Sequence, residues 1–111
     1  MLATALPEFS TELVAVLVSE GEAHLADQVP ALKISGRCGC GDSFCGSFYT
    51  GPRPLTRWSD EGVYRCVPVI VERGMVALDV VDEIIRHVEV LDRPEIKKAL
   101  EAFPAVEGRV R

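Results

Sequence analysis

Cys38, Cys40 and Cys45 lie in GRCGCGDSFCGS, residues 36–47, spaced C-x-C-x4-C among Gly36, Gly39, Gly41 and Gly46. Thiolates this close in sequence can converge on one ion, and the glycines open backbone turns that other residues cannot make. Asp42 and Ser43 add side chains that bond to nearby backbone groups in turns. The same thiols also suit redox chemistry. A Cys40–Cys45 disulfide is geometrically easier than Cys38–Cys40, whose ring would be small, strained and readily reduced. The plainest alternative is a tight turn in which the cysteines act as small apolar residues. The spacing fits neither common ferredoxin pattern, which argues against an iron–sulfur cluster.

The C-x-C-x4-C run with its glycines resembles the post-SET zinc knuckle of lysine methyltransferases, over residues 38–45. The resemblance implies a structural zinc held by Cys38, Cys40 and Cys45, with a fourth cysteine from elsewhere in the chain. It extends to no activity: 111 residues are too few for a SET domain, and no stretch matches its cofactor-binding or catalytic motifs. Cys66 is the first candidate for the fourth ligand. If residues 46–50 pair antiparallel with the strand beginning at 63, Ser47 faces Cys66 across about 4.8 Å, the usual strand spacing. A one-residue slip would turn that thiol to the other face. His24 is the alternative. On a continuous helix it follows Leu17 by seven residues and points with the apolar stripe, which would make a Cys3His site if the helix covers the hairpin end.

Other chemistry-bearing residues are scattered. His87 and Glu89, in IIRHVEV, share a strand face opposite Ile84, Val88 and Val90, where an acid–base pair or a solvated face would both fit. Arg86 falls among the apolar positions and disturbs that pattern. Asp79, Asp82 and Glu83 gather around a turn, a routine place for carboxylates, although paired carboxylates also serve hydrolysis or cation binding. Arg53, Arg57 and Trp58 carry the residue types enriched at binding hot spots and are the candidate partner-binding set. Trp58 folding back over the sheet is the competing reading. Cys45 with His24 or His87 would be the pair for a cysteine nucleophile. No P-loop, dinucleotide fingerprint, nucleophile elbow or zincin motif occurs in the chain.

The elements that must position these groups follow from periodicity. In PEFSTELVAVLVSEGEAHLADQV, Phe9, Leu13, Leu17, Leu25 and Val29 form the i, i+4 ladder of a buried helical stripe. Gly21 takes the missing rung and predicts a break. Pro7 suits the first turn. Beyond residue 30 the pattern alternates. ALKIS (31–35) and GSFYT (46–50) read as a hairpin whose tip carries the cysteines. VYRCVPVIV (63–71), MVALDVV (75–81) and IIRHVEVL (84–91) read as a meander, turning at Glu72-Arg73-Gly74 and Asp82-Glu83. Pro68 assigns the first of these to an edge or a bulge. Asp92 and Glu95 look like an acidic capping box for a final helix with Pro94 in its first turn and Ile96, Ala99, Leu100 and Phe103 on its face. The expected fold is α+β, a five-stranded antiparallel sheet covered on one face by an N-terminal and a C-terminal helix, in one domain. The longest loop is GPRPLTRWSDEG, 51–62.

Composition bounds the rest. The 48% hydrophobic content supports a packed core rather than disorder. Seventeen acidic against twelve basic residues, net −5, argues against a nucleic-acid partner, which needs a clustered basic face. Glu8, Glu12, Glu20 and Glu22 interrupt the N-terminal apolar residues, unlike a signal peptide, and no run is long enough to span a membrane. A cytoplasmic setting, where thiols stay reduced and free to bind metal, is the resulting expectation. The expected role is a small non-enzymatic binding or regulatory protein whose cysteine knuckle holds a structural zinc; a thiol redox sensor or metal carrier and a small-molecule enzyme are the alternatives.

Overall fold

The structure, a computed structural model, describes residues 1–105. Four helices, α1 (Leu2–Ala5), α2 (Pro7–Ser19), α3 (Ala23–Gln28) and α4 (Pro94–Ala99), accompany five strands. The strands are β1 (Gly36–Arg37), β2 (Phe48–Tyr49), β3 (Tyr64–Val69), β4 (Met75–Val81) and β5 (Ile84–Leu91), in one antiparallel sheet of order β1-β2-β5-β4-β3. The helices share a single core with one face of this sheet, so the α+β layering read from the sequence is present.

The N-terminal stripe behaves as its spacing dictates. Phe9, Leu13 and Leu17 on α2 and Leu25 on α3 are buried, as is Val29 in the following 3-10 turn. The break falls at Gly21, whose φ of +80° is a left-handed conformation that side chains resist. Against this stripe the sheet sets Phe48, Val67, Val69, Val76, Leu78, Val80, Ile85, Val88 and Val90. Ile96 and Leu100 close the core from the C-terminal side. Gln28 pins α3 to the β4–β5 hairpin: its amide donates to Glu83 O (2.7 Å) and its carbonyl accepts from Ile85 N–H (3.0 Å).

Several expectations need correction. Residues 31–35 are not the first arm of the hairpin. Leu32 O accepts from Leu2 N–H, so this segment is engaged by α1, and the ladder to β2 begins with Ser35 N–H donating to Tyr49 O. β2 does not pair with β3: it pairs with β5, Phe48 opposite Val88 and Tyr49 opposite His87. The capping box does not form. Asp92 adopts φ +62°, and Glu95 bonds Arg93 Nε (2.7 Å) rather than folding back on the helix start. Arg93 is drawn inward, 5% exposed, where Glu12 and Glu95 pair with its guanidinium and Phe9 lies beneath it. Finally, Ala99 is exposed; α4 has room for only one buried rung, Ile96, before the chain tightens into a 3-10 turn at Leu100.

The meander forms in the expected order, but β3 ends at Val69, and Ile84, expected on the face of Val88 and Val90, is exposed while Ile85 is buried in its place. Pro68 sits on β3, an edge strand, where a missing N–H is tolerated. Asp82 and Glu83 both have positive φ, as a two-residue turn of the hairpin type requires. Arg86 is explained by a bulge: Asp79 pairs with His87 and Val80 with Ile85, so Arg86 is the extra residue. Bulges of this kind re-aim side chains.

Candidate metal centre and a roofed polar pocket

The cysteine tip is built locally. Cys38 N–H donates to Ser47 O (2.8 Å), adding a rung beyond β1 and β2. The chain then reverses through Gly41, at φ +80°, and Cys45 N–H donates to Asp42 O (3.2 Å). Cys45 bridges to Leu91, and Gly46 N–H donates to Val90 O (2.8 Å), which fastens the returning arm to β5. A Cβ on Gly46 would lie 3.3 Å from the Lys97 backbone nitrogen, so glycine lets this arm pass close to α4. Ser47, buried, accepts Val90 N–H at its hydroxyl (2.9 Å).

This framework brings the three thiols of Cys38, Cys40 and Cys45 together, with their sulfur atoms all within 4.8 Å of one another. Zinc–sulfur bonds of about 2.3 Å in a tetrahedron place sulfurs about 3.8 Å apart, so a shift of an ångström or so completes the geometry. The three residues are partly exposed and can hold a metal ion. Their thiols are not equivalent. Burial pushes Cys40 up to about 11, reinforced by its thiol neighbours Cys45 and Cys38. Burial also opposes ionisation of Cys45, yet hydrogen bonds from Ser47 and from the Cys40 and Cys38 thiols outweigh it and leave Cys45 below the ordinary thiol range. One sulfur thus leads in ionisation, and a bound cation would displace the protons of its neighbours.

Neither candidate for the fourth position joins them. Cys66 lies on β3, with β4 and β5 between it and β2, roughly 14 Å away at ordinary strand spacing. The proposed Ser47–Cys66 register fails for that reason: Cys66 pairs with Asp79 instead. Partial burial and the charges of Asp79 and Glu89 push its thiol up. His24, on α3, has its Nε2 against the Glu83 carboxylate. Glu83 also meets Arg65, which forks onto Glu22 (2.9 Å for both bonds). The carboxylates at the β4–β5 turn therefore serve separate tasks: Glu83 in this ion cluster, Asp82 accepting Val63 N–H (2.9 Å), and Asp79 on the opposite face.

That opposite face carries a second site. Cys66, Asp79, His87 and Tyr49 are consecutive partners across β3, β4, β5 and β2, so their side chains share one face. Glu89 falls on it as expected from its spacing to His87. The face is only partly open to solvent, because the 51–62 loop roofs the end holding Tyr49 and His87 and leaves Cys66 exposed. Trp58 stands 6.2 Å from the Tyr49 ring and 6.3 Å from His87, and the Arg86 guanidinium lies 5.4 Å from the Trp58 ring centroid. Arg86 also donates to Pro52 O (3.3 Å), tying the roof to the bulge. Of the residues assigned to partner binding, Trp58 packs inward and Arg57 pairs with Asp60 (3.3 Å), while Arg53 lines the cavity below. Leu55 points outward, 92% exposed.

His87 is 7% exposed, its Nδ1 2.9 Å from Asp79 Oδ2; the other Asp79 oxygen accepts from Tyr64 O–H (2.7 Å). Cys45 is not placed against either histidine as a catalytic pair by any hydrogen bond among the described residues. The sequence reading missed Tyr49, Tyr64 and Arg86. The two-residue spacing of Tyr64 from Cys66 was a usable signal, and Arg86 among the apolar positions of IIRHVEV was the trace of the bulge.

No family model matches the chain, and no curated protein and no solved structure matches it significantly. Among the described residues, no helix is long and apolar enough to cross a membrane.

Proposed function

We propose that this chain is a small non-enzymatic binding or regulatory protein in which Cys38, Cys40 and Cys45 hold a structural zinc ion. The observation that carries the reading is the convergence of three sulfurs within 4.8 Å on a glycine-turned tip. Thiolates favour zinc among the available divalent ions, and a cytoplasmic setting would keep them reduced. The metal would clamp the arm carrying Cys38 to the arm carrying Cys45, fastening the short β1–β2 hairpin to β5. The fourth corner of the tetrahedron falls to a donor outside this trio, and a protein partner's side chain is one such donor.

Metal analysis of protein purified under reducing conditions, with a thiol count before and after denaturation, tests this. About one zinc per chain with shielded thiols is the expected result. Metal-free protein whose melting temperature does not respond to added zinc would overturn it. The lowered pKa of Cys45 favours one second reading, a thiol redox sensor. That reading requires a single fast-reacting thiol in metal-free protein, and it fails if all four thiols react slowly.

A further inference from the structure

We propose that the cavity beneath the 51–62 loop binds a small carboxylic acid with a hydrogen-bond donor beside its carboxylate, an α-hydroxy or α-amino acid. The cavity is about 230 Å³ and is lined by Tyr49, Arg53, Trp58, Asp79, His87 and Glu89, among others. None of the three cysteines lines it, although His87 and Glu89 also line the adjoining hollow that Cys38, Cys40 and Cys45 border.

Two buried nitrogens on its wall have no hydrogen-bond partner among the described residues: Arg53 Nη1 and His87 Nε2. Buried polar atoms are nearly always satisfied, so two in one cavity call for a ligand or water to complete them. Their chemistries are opposite. Arg53 can only donate, and it carries a positive charge. His87 Nδ1 faces a carboxylate that can only accept, so Nδ1 carries the proton and, in the neutral ring, Nε2 presents a lone pair. Tyr64 O–H on the second Asp79 oxygen keeps that carboxylate in its accepting role.

The occupant must therefore offer an acceptor to Arg53 and a donor to His87. A simple anion fails the second requirement and meets Asp79 and Glu89 on the same wall. A simple cation fails the first. A carboxylate with an adjacent hydroxyl or ammonium meets both: the carboxylate takes Arg53, and the donor reaches His87 Nε2, with Glu89 available to an ammonium. Tyr49 and Trp58 supply apolar surface for the ligand's body.

Trp58 is the only tryptophan in the chain, so its fluorescence reports the cavity directly. Purified protein is titrated with lactate, L-serine, acetate, ethylammonium and inorganic phosphate. A saturable change with lactate or L-serine is expected, about 10-fold or more tighter than with acetate or ethylammonium, since each single-ended probe leaves one buried group unpaired. Saturation by lactate alone identifies the hydroxy acid, and by serine alone the amino acid. R53Q, on the loop, and H87Q should each weaken binding about 10-fold or more. Circular dichroism confirms that each variant is folded. No saturable response to lactate or serine at tens of millimolar overturns the proposal, as does equal binding of acetate or phosphate, or unchanged affinity in folded R53Q.

Discussion

The cysteine tip and the roofed pocket are built by different rules. The tip is assembled from residues 38–47, held by short-range turns and a few bonds to β5. The pocket takes Tyr49, Asp79 and His87 from β2, β4 and β5, with Tyr64 of β3 bonded to Asp79 beside them, and closes them with a loop that lies between β2 and β3 in sequence. A local site can survive changes elsewhere in the fold. A site gathered from several strands depends on register, bulge and roof together.

The largest effect should come from a residue behind both sites. Phe48 is fully buried on β2, packed edge-on to Phe9. Phe48→Ala should cost about 3–5 kcal/mol in urea unfolding, because it leaves a cavity where the β2–β5 pairing meets the helices. Its neighbours in sequence, Ser47 and Tyr49, serve the tip and the pocket respectively, so both should loosen.

Next come substitutions that separate the two. Asp79→Ala removes the acceptor of both His87 and Tyr64 and should destabilise by about 1–3 kcal/mol in denaturant titration, with zinc content unchanged. Cys45→Ser should do the reverse: zinc per chain drops to near zero by metal analysis, with the Trp58 fluorescence of the pocket preserved. Cys66→Ser should alter neither readout, which checks that the fourth thiol stands apart. Loss of zinc in Cys66→Ser would break the comparison.

The smallest effect concerns acid. Hydrogen bonds from Arg65 and then His24 hold the Glu83 carboxyl at about 2, below its ordinary 4.5. A depressed carboxyl stabilises the fold above its unfolded value, and that contribution is lost as pH falls from about 4.5 through about 2. Glu22 is lowered by the same Arg65 and adds in the same direction. Glu83→Gln should therefore melt slightly lower than the parent near neutral pH, with the gap closing as the buffer is acidified. The pair is exposed, so the gap should also shrink in high salt.

The elements were legible where hydrophobic period decides them. The α2 stripe with its break at Gly21, the edge position of Pro68 and the β4–β5 turn at Asp82-Glu83 all follow from local spacing. The final helix shows the limit. Asp92 and Glu95 have the right types for a capping box, but the buried guanidinium of Arg93 competes for Glu95, an ion pair that no local pattern contains. The position of β2 shows it again. Two residues of strand carry too little pattern to choose between β3 and β5 as partner, and the Cys66 assignment followed that choice.

Residue type and short spacing by themselves determined the thiol cluster, the helical stripe and the alternation of the meander, because each depends on neighbours a few residues apart. Strand order, the Arg86 bulge, the burial of His87 and the inward turn of Trp58 were decided only by the tertiary structure. These depend on which surfaces meet across tens of residues, where hydrogen-bond ladders and packing of the whole sheet outweigh any local preference.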